Sequence, residues 1–236
     1  MSATKHIVDT MPQANRIWAA IGVAGLIGCG AAPAPVPTPT PVQRSVSTPE
    51  AIAKARADSA RYPYTEADIR FMTGMISHHA QAITMANMTG EKDRGAAPAV
   101  VTLSGRIINA QKDEIALMQT WLGDRRQPVA EPNPNGMRMV MNGVEHDMLM
   151  PGMLTPEQLN LLRASRGVAF DELFLRSMIG HHNGATMMVK VLFDTYGAGQ
   201  DQLVFKFASD VNIDQTTEIT RMEKMLASII FARHSN

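Results

Sequence analysis

DIRFMTGMISHHAQAITMANM, Asp68 to Met88, returns about a hundred residues later as DELFLRSMIGHHNGATMMVKV, Asp171 to Val191. Both copies open on an acid and keep Phe71 or Phe174, Met75 or Met178, and Ile76 or Ile179. The paired histidines His78–His79 and His181–His182 follow, then Met85 or Met188 seven residues after the first of them. An internal repeat fixes architecture before any single residue does. Apolar residues at 69, 72, 75, 76, 83 and 86 recur at helical spacing, so each copy reads as a helix. The repetition continues downstream. Gln111, Glu114, Ile115, Met118 and Leu122 align with Gln215, Glu218, Ile219, Met222 and Leu226, with one residue more in the second intervening loop. The repeated unit is therefore a helical hairpin, and two such hairpins bury their apolar stripes most simply as an antiparallel four-helix bundle. No window shows sustained alternation of the strand type, so the expected fold is all-α.

Local signals place the elements. Thr48-Pro49-Glu50 reads as the start of a short lead-in helix reaching about Arg61. Thr65 with Asp68 resembles a capping box, with Tyr64 and Ile69 as a hydrophobic staple. A second helix is expected from Pro98 to Gly123, a glycine suited to end it. The hairpin repeats span about 65–123 and 168–232, inside a folded region of 48–236. Between them the connector 124–167 is broken by Pro128, Pro132, Pro134, Gly136, Gly143, Pro151 and Gly152, and residues 124–154 read as irregular. Thr155-Pro156-Glu157-Gln158 then starts a short helix.

The 236 residues carry formal net charge +0, which gives no reason to expect nucleic acid as a partner. The N-terminus reads as an export signal: Arg16, the apolar run Ile17 to Gly28, then Cys29. That run is too short for a permanent span and suits a signal core. Leu26-Ile27-Gly28-Cys29 resembles a bacterial lipobox, so residues 1–29 are expected to be a signal peptide with Cys29 lipidated. An ordinary cleaved signal or a short anchor are the alternatives, and Met11 offers a second start. Residues 30–47 form a Pro-rich tether. The expected product is a membrane-anchored lipoprotein in the periplasm or cell envelope of a bacterium. Cys29 is the sole cysteine, so the folded part has no thiolate chemistry.

On a helix, i, i+3, i+4 and i+7 share a face. Met75, His78, His79 and Met85 therefore form one stripe, and Met178, His181, His182 and Met188 another. Adjacent histidines point about 100° apart, so one of each pair can face the centre and the other a seam. Four imidazoles buried in register need either partners or a metal ion. Met75, Met85, Met178, Met188, Met118 and Met222 fit either core or ligand. Glu114 and Glu218, with Gln111 and Gln215, fit capping, bridging or holding a histidine N–H. The bundle thus offers two equivalent candidate sites, which bind separately or share one ion. The connector adds Met137, Met139, Met141, His146, Met148, Met150 and Met153, a thioether and imidazole set that suits Cu(I) or Ag(I) and extends toward Cu(II). A hydrophobic cover over the bundle end and sacrificial oxidation are alternatives for this segment.

The doubled Met-Ile-x-His-His pattern resembles the DUF305 family. Phe71, Met75 to Ala82 and Met85 carry the first match. Met150-Pro151-Gly152-Met153, Phe170-Asp171, Phe174-Leu175, Met178 to Ala185 and Met188 carry a fuller second one. The resemblance covers about residues 65–232 and implies a ferritin-like helical bundle and exported copper-binding or copper-resistance proteins. Asn183-Gly184 departs from the expected Gln- or Glu-Gly pair.

The leading functional expectation is a non-enzymatic lipoprotein that binds copper, with silver as a further ion, through its His and Met clusters. It would sequester the metal or pass it to copper-handling partner proteins. A structural or partner-binding envelope module is one alternative. A ferritin-like metal oxidase is the other, weakened because no Glu-x-x-His motif occurs in the chain.

Overall fold

Capping chemistry sets the helix starts. In the computed structural model, which describes residues 48–61 and 63–234, Thr65 accepts from the Asp68 N–H and Asp68 accepts from the Thr65 N–H (2.6 Å), closing the box at the start of a helix over Glu66–Asn87. Thr155 and Gln158 do the same before Pro156–Ala164. In chain order the elements are α1 Pro49–Arg61, α2 Glu66–Asn87, α3 Pro98–Asp124, β1 Met137–Met141, β2 Val144–Met148, α4 Pro156–Ala164, α5 Gly167–Asp194 and α6 Gln202–His234, with a 3-10 turn at Met88–Gly90. The expected signal sequence, the Cys29 lipidation site and the tether lie outside the described residues. None of the described helices is long and apolar enough to cross a membrane.

Two sequence expectations are corrected. The connector is not wholly irregular: β1 and β2 form an antiparallel hairpin, with Met137 opposite Met148 and Met139 opposite His146. Asn142 and Gly143 both take positive φ (53° and 76°), as a two-residue hairpin turn of this hand demands. The second correction is the end of α3. The helix runs through Gly123, and Arg126 adopts the left-handed φ of 57°, with its N–H on the Gly123 carbonyl.

The four long helices make the bundle, and two apolar clusters fix its topology. The first joins the start of α2 (Phe71, Met72, Met75) to the end of α3 (Met118, Trp121), the end of α5 (Met188, Leu192) and the start of α6 (Val204, Phe207). The second joins the opposite ends: Met85 of α2, Leu103 of α3, Phe170, Phe174 and Met178 of α5, and Met222 of α6. Each helix thus runs antiparallel to its hairpin partner, and α2 antiparallel to α5. Burying each large side chain such as Phe174 contributes roughly 1.5–3 kcal/mol. Between the clusters every helix passes through a polar stretch: His78, His79 and Gln81, then Gln111, His181 and His182, and Gln215, all buried.

The acid that opens each repeat closes the other hairpin's turn. Asp68 accepts from the Gly199 N–H (2.7 Å) between α5 and α6. Asp171 accepts from the Ala97 N–H (3.0 Å) before α3. Asp201 caps α6 through the N–H groups of Leu203 and Val204 and also accepts from Trp121 Nε1 (3.1 Å) and Arg125. These bonds lock the two hairpins end to end, so the polar belt midway is held in a fixed register.

Candidate metal centre

The 100° offset between adjacent helical residues sorts the four histidines into two jobs. His78 of α2 and His181 of α5 meet at the α2–α5 contact, ring centroids 3.8 Å apart and tilted by 37°. His79 and His182 turn toward the partner helix of their own hairpin. His182 Nε2 donates to Glu218 (2.7 Å), and His79 Nε2 lies 2.6 Å from Glu114, off the line of a hydrogen bond. All four rings are essentially inaccessible to solvent. The two pairs therefore occupy one belt and not two separate pockets.

A carbonyl or a carboxylate can only accept, so these contacts fix tautomers. His78 Nε2 donates to the Pro151 carbonyl (3.0 Å), and His182 Nε2 to Glu218. The proton sits on Nε2 in both, which leaves the Nδ1 lone pair bare. The Nδ1 atoms of all four histidines lack a protein hydrogen-bond partner, as does Nε2 of His181. Each buried nitrogen left so costs roughly 1–3 kcal/mol. A carboxylate holding the remote N–H of an imidazole is the arrangement that orients histidine toward a metal.

Electrostatics keeps the central pair uncharged. Burial, reinforced by the neighbouring His79, lowers the His78 pKa to about 3 against the opposing Pro151 hydrogen bond. His181 is pushed well below its ordinary value by burial first, then by His78, His182 and His79, with a weak opposing contact to the His78 backbone. Outside the belt, on the α3–α6 seam, Asp214 is raised by partial burial and by Glu114, Asp210 and Glu218, so this side carries a concentration of carboxylates.

The remaining expected residues fall into three groups. Met75, Met118 and Met188 lie in the apolar cluster on one side of the belt, and Met85, Met178 and Met222 in the cluster on the other. Gln111 and Gln215 are buried in the belt, and Gln111 Oε1 has no partner. Of the connector residues, His146 is exposed in β2 outside the belt, Met148 is partly exposed at the end of β2, and Met150 packs against the first cluster. Among the described residues, no group of three or more His, Cys, Asp or Glu side chains stands ready to hold a metal ion. The belt brings the imidazoles together, while their present partners hold them apart from a shared point.

Three functional contacts were not anticipated from sequence. The strap Met150–Met153 lies on α5 so closely that a Cβ on Gly184 would stand 1.8 Å from the Pro151 oxygen, and one on Gly152 would stand 2.5 Å from the Gly180 oxygen. Gln81 ties both ends of the connector, donating to Pro134 and Leu154 carbonyls and accepting from the Leu154 N–H (2.6 Å). The Pro151 carbonyl itself bonds His78. The signal for the first two was the broken equivalence of Gln81 and Gly184, which occupy the same position in the two repeats.

The sequence pattern of DUF305, described as a domain of unknown function, matches residues 68–226. The chain belongs to the DUF305 family. Among solved structures, a DUF305 protein of Streptomyces coelicolor assigned as secreted is 26% identical, covers 69% of this chain and 93% of its own, and gives a TM-score of 0.57. A DUF305 fragment from Deinococcus radiodurans is 27% identical, with 70% and 99% covered and a TM-score of 0.56. CopM, solved in Cu(I)-bound and Cu(II)-bound forms, is 27% identical, with 68% and 96% covered and a TM-score of 0.51. The comparison with curated proteins gives no match. The helical-bundle fold is thus that of DUF305 proteins, and its structural neighbours include one solved with copper bound.

Proposed function

We propose that this DUF305 protein is an exported, non-enzymatic copper-binding protein whose cargo is held at the histidine belt. It would act in sequestration, transfer or resistance from the cell envelope, anchored through Cys29. The observation that carries this reading is the set of unpartnered Nδ1 atoms on four buried histidines, two of which have Glu114 or Glu218 beside Nε2. Neutral imidazole suits Cu(II) and, with thioethers nearby, Cu(I). Binding exchanges the unmet hydrogen-bond capacity of the belt for coordination. The likeness to copper-bound CopM supports the same ion.

Titration of the full chain with Cu(II), and with Cu(I) against a competing chelator, tests this. Changing His78, His79, His181 and His182 to Ala is expected to abolish tight Cu(II) binding. Glu114→Gln with Glu218→Gln keeps the packing and is expected to weaken it roughly 10–100-fold. Cu(II) affinity in the four-histidine variant equal to that of the native chain would end the idea. The competing structural reading draws on the Pro151 and Glu218 contacts, which satisfy one nitrogen in two of the rings, and on Glu114 close to a third. It expects a melting temperature indifferent to copper, whereas a native-state ligand at a hundred times its Kd adds about 2.7 kcal/mol.

A further inference from the structure

Thioethers from four places in the chain gather over a bare stretch of α2. Gly74 presents no side chain, and the space above it is taken by Met150 Sδ, 3.0 Å from where a Cβ would stand. Met137 Sδ follows at 3.7 Å and the Met188 methyl at 3.5 Å. These come from the strap, from β1 and from α5. Met148, at the end of β2, joins them in lining a cleft of about 250 Å³. Met148 is 44% exposed, so the cleft opens to solvent, while Met137 and Met188 are buried at its floor. Protein interiors fill such gaps by interdigitation. Here four methionines line the cleft beside Gly74 and leave it open. No carboxylate and no imidazole lines it, and Arg70 is its one charged wall.

We propose that this cleft is a second metal site, separate from the histidine belt, that takes a monovalent soft cation, Cu(I) or Ag(I), through thioether sulfur alone. It goes beyond the histidine reading and rests on it only for the identity of the natural ion. Uncharged, polarisable sulfur favours a soft monovalent ion. Without an anionic ligand, and with a guanidinium in the wall, a hard or divalent cation gains nothing here. The site also has a position. Gly74 is one helical turn from His78, so the cleft lies beside the belt, where the connector brings methionine against α2.

Ag(I) titration of the full chain, labelled with 13C at the methionine methyls, reads the site residue by residue. The methyls of Met137, Met148, Met150 and Met188 are expected to shift together over the first equivalents of Ag(I) and to stay still with Zn(II). Met137→Leu with Met148→Leu and Met150→Leu nearly conserves volume and should remove one Ag(I) per chain without altering Cu(II) binding. Gly74→Ala places a methyl against Met150 Sδ while favouring the helix. It is expected to weaken Ag(I) at the cleft by roughly tenfold or more, since metal sites tolerate ligand shifts of only about 0.2 Å. Unmoved methyls at these four positions, or equal Ag(I) stoichiometry and affinity in the triple-Leu variant, would overturn the proposal. Methyl shifts that persist in a chain with no Cu(II) binding would uphold the cleft and sink the histidine belt. Cu(II) binding with silent methyls would do the reverse.

Discussion

Replacing Gly184 with alanine is expected to push the Met150–Met153 strap off α5 and to destabilise the fold by roughly 3 kcal/mol, the upper end of what an added methyl costs in a tight site. The new Cβ would meet the Pro151 oxygen at 1.8 Å and its carbonyl carbon at 2.4 Å, both backbone atoms with no rotamer to yield. The strap cannot retreat without breaking the His78–Pro151 hydrogen bond and the Leu154 bonds to Gln81. For a chain of this size the melting temperature should fall by roughly 6–12 °C. Gly105→Ala is the matched control. Nothing lies within 4 Å of its Cβ, so improved helix propensity should leave stability unchanged or slightly raised. A Gly184→Ala chain that melts with the native protein would show that the strap is not seated on α5 as described.

The second large effect is acid instability, and its sign follows from the central histidines. Both are neutral when folded, with the His78 pKa lowered to about 3 and that of His181 also well below its ordinary value. Unfolded, each titrates near 6.5. Below that pH the unfolded chain binds protons the folded chain refuses, so stability is full above about pH 7 and falls as the pH drops toward 3. The slope is about 1.4 kcal/mol per pH unit for each histidine, giving a loss of about 4 kcal/mol between pH 7 and pH 5 for the pair. Asp171 and Asp214, whose values are raised, act in the opposite sense at lower pH and soften the fall. Urea unfolding of the metal-free chain at pH 5, 6 and 7 measures this. The His78→Gln, His181→Gln double variant should lose the slope, and a slope that survives in it would assign the titration elsewhere.

Much of the bundle was legible because its signals are local. Thr65 with Asp68, Thr155 with Gln158 and Pro98 at a first helical turn act within a few residues, and each marks a real helix start. The histidines stood out because duplication repeated them in register. Their union in one belt was hidden, since it depends on how far α2 slides along α5, which the shared clusters decide. The β-hairpin was hidden differently. Asn142-Gly143 was a turn signal, but methionines at 137, 139 and 141 carry little strand preference, and β2 faces solvent on both sides, so no apolar alternation marks it. The Pro151 carbonyl on His78 could not be read at all, because a backbone acceptor leaves no trace in the side-chain code.

The crossed aspartates give the duplication a mechanical meaning. Asp68 closes the turn at Gly199, and Asp171 secures the approach to α3 at Ala97, so each half lends a clasp to the other's turn. A half expressed alone would have a loose turn and an uncovered imidazole face, and its remedy would be a second half. Two identical hairpins facing each other across a dyad would supply both clasps at once. The present chain is that pair written in tandem, made unequal where its connector needs Gln81 on one side to hold it and Gly184 on the other to let it pass.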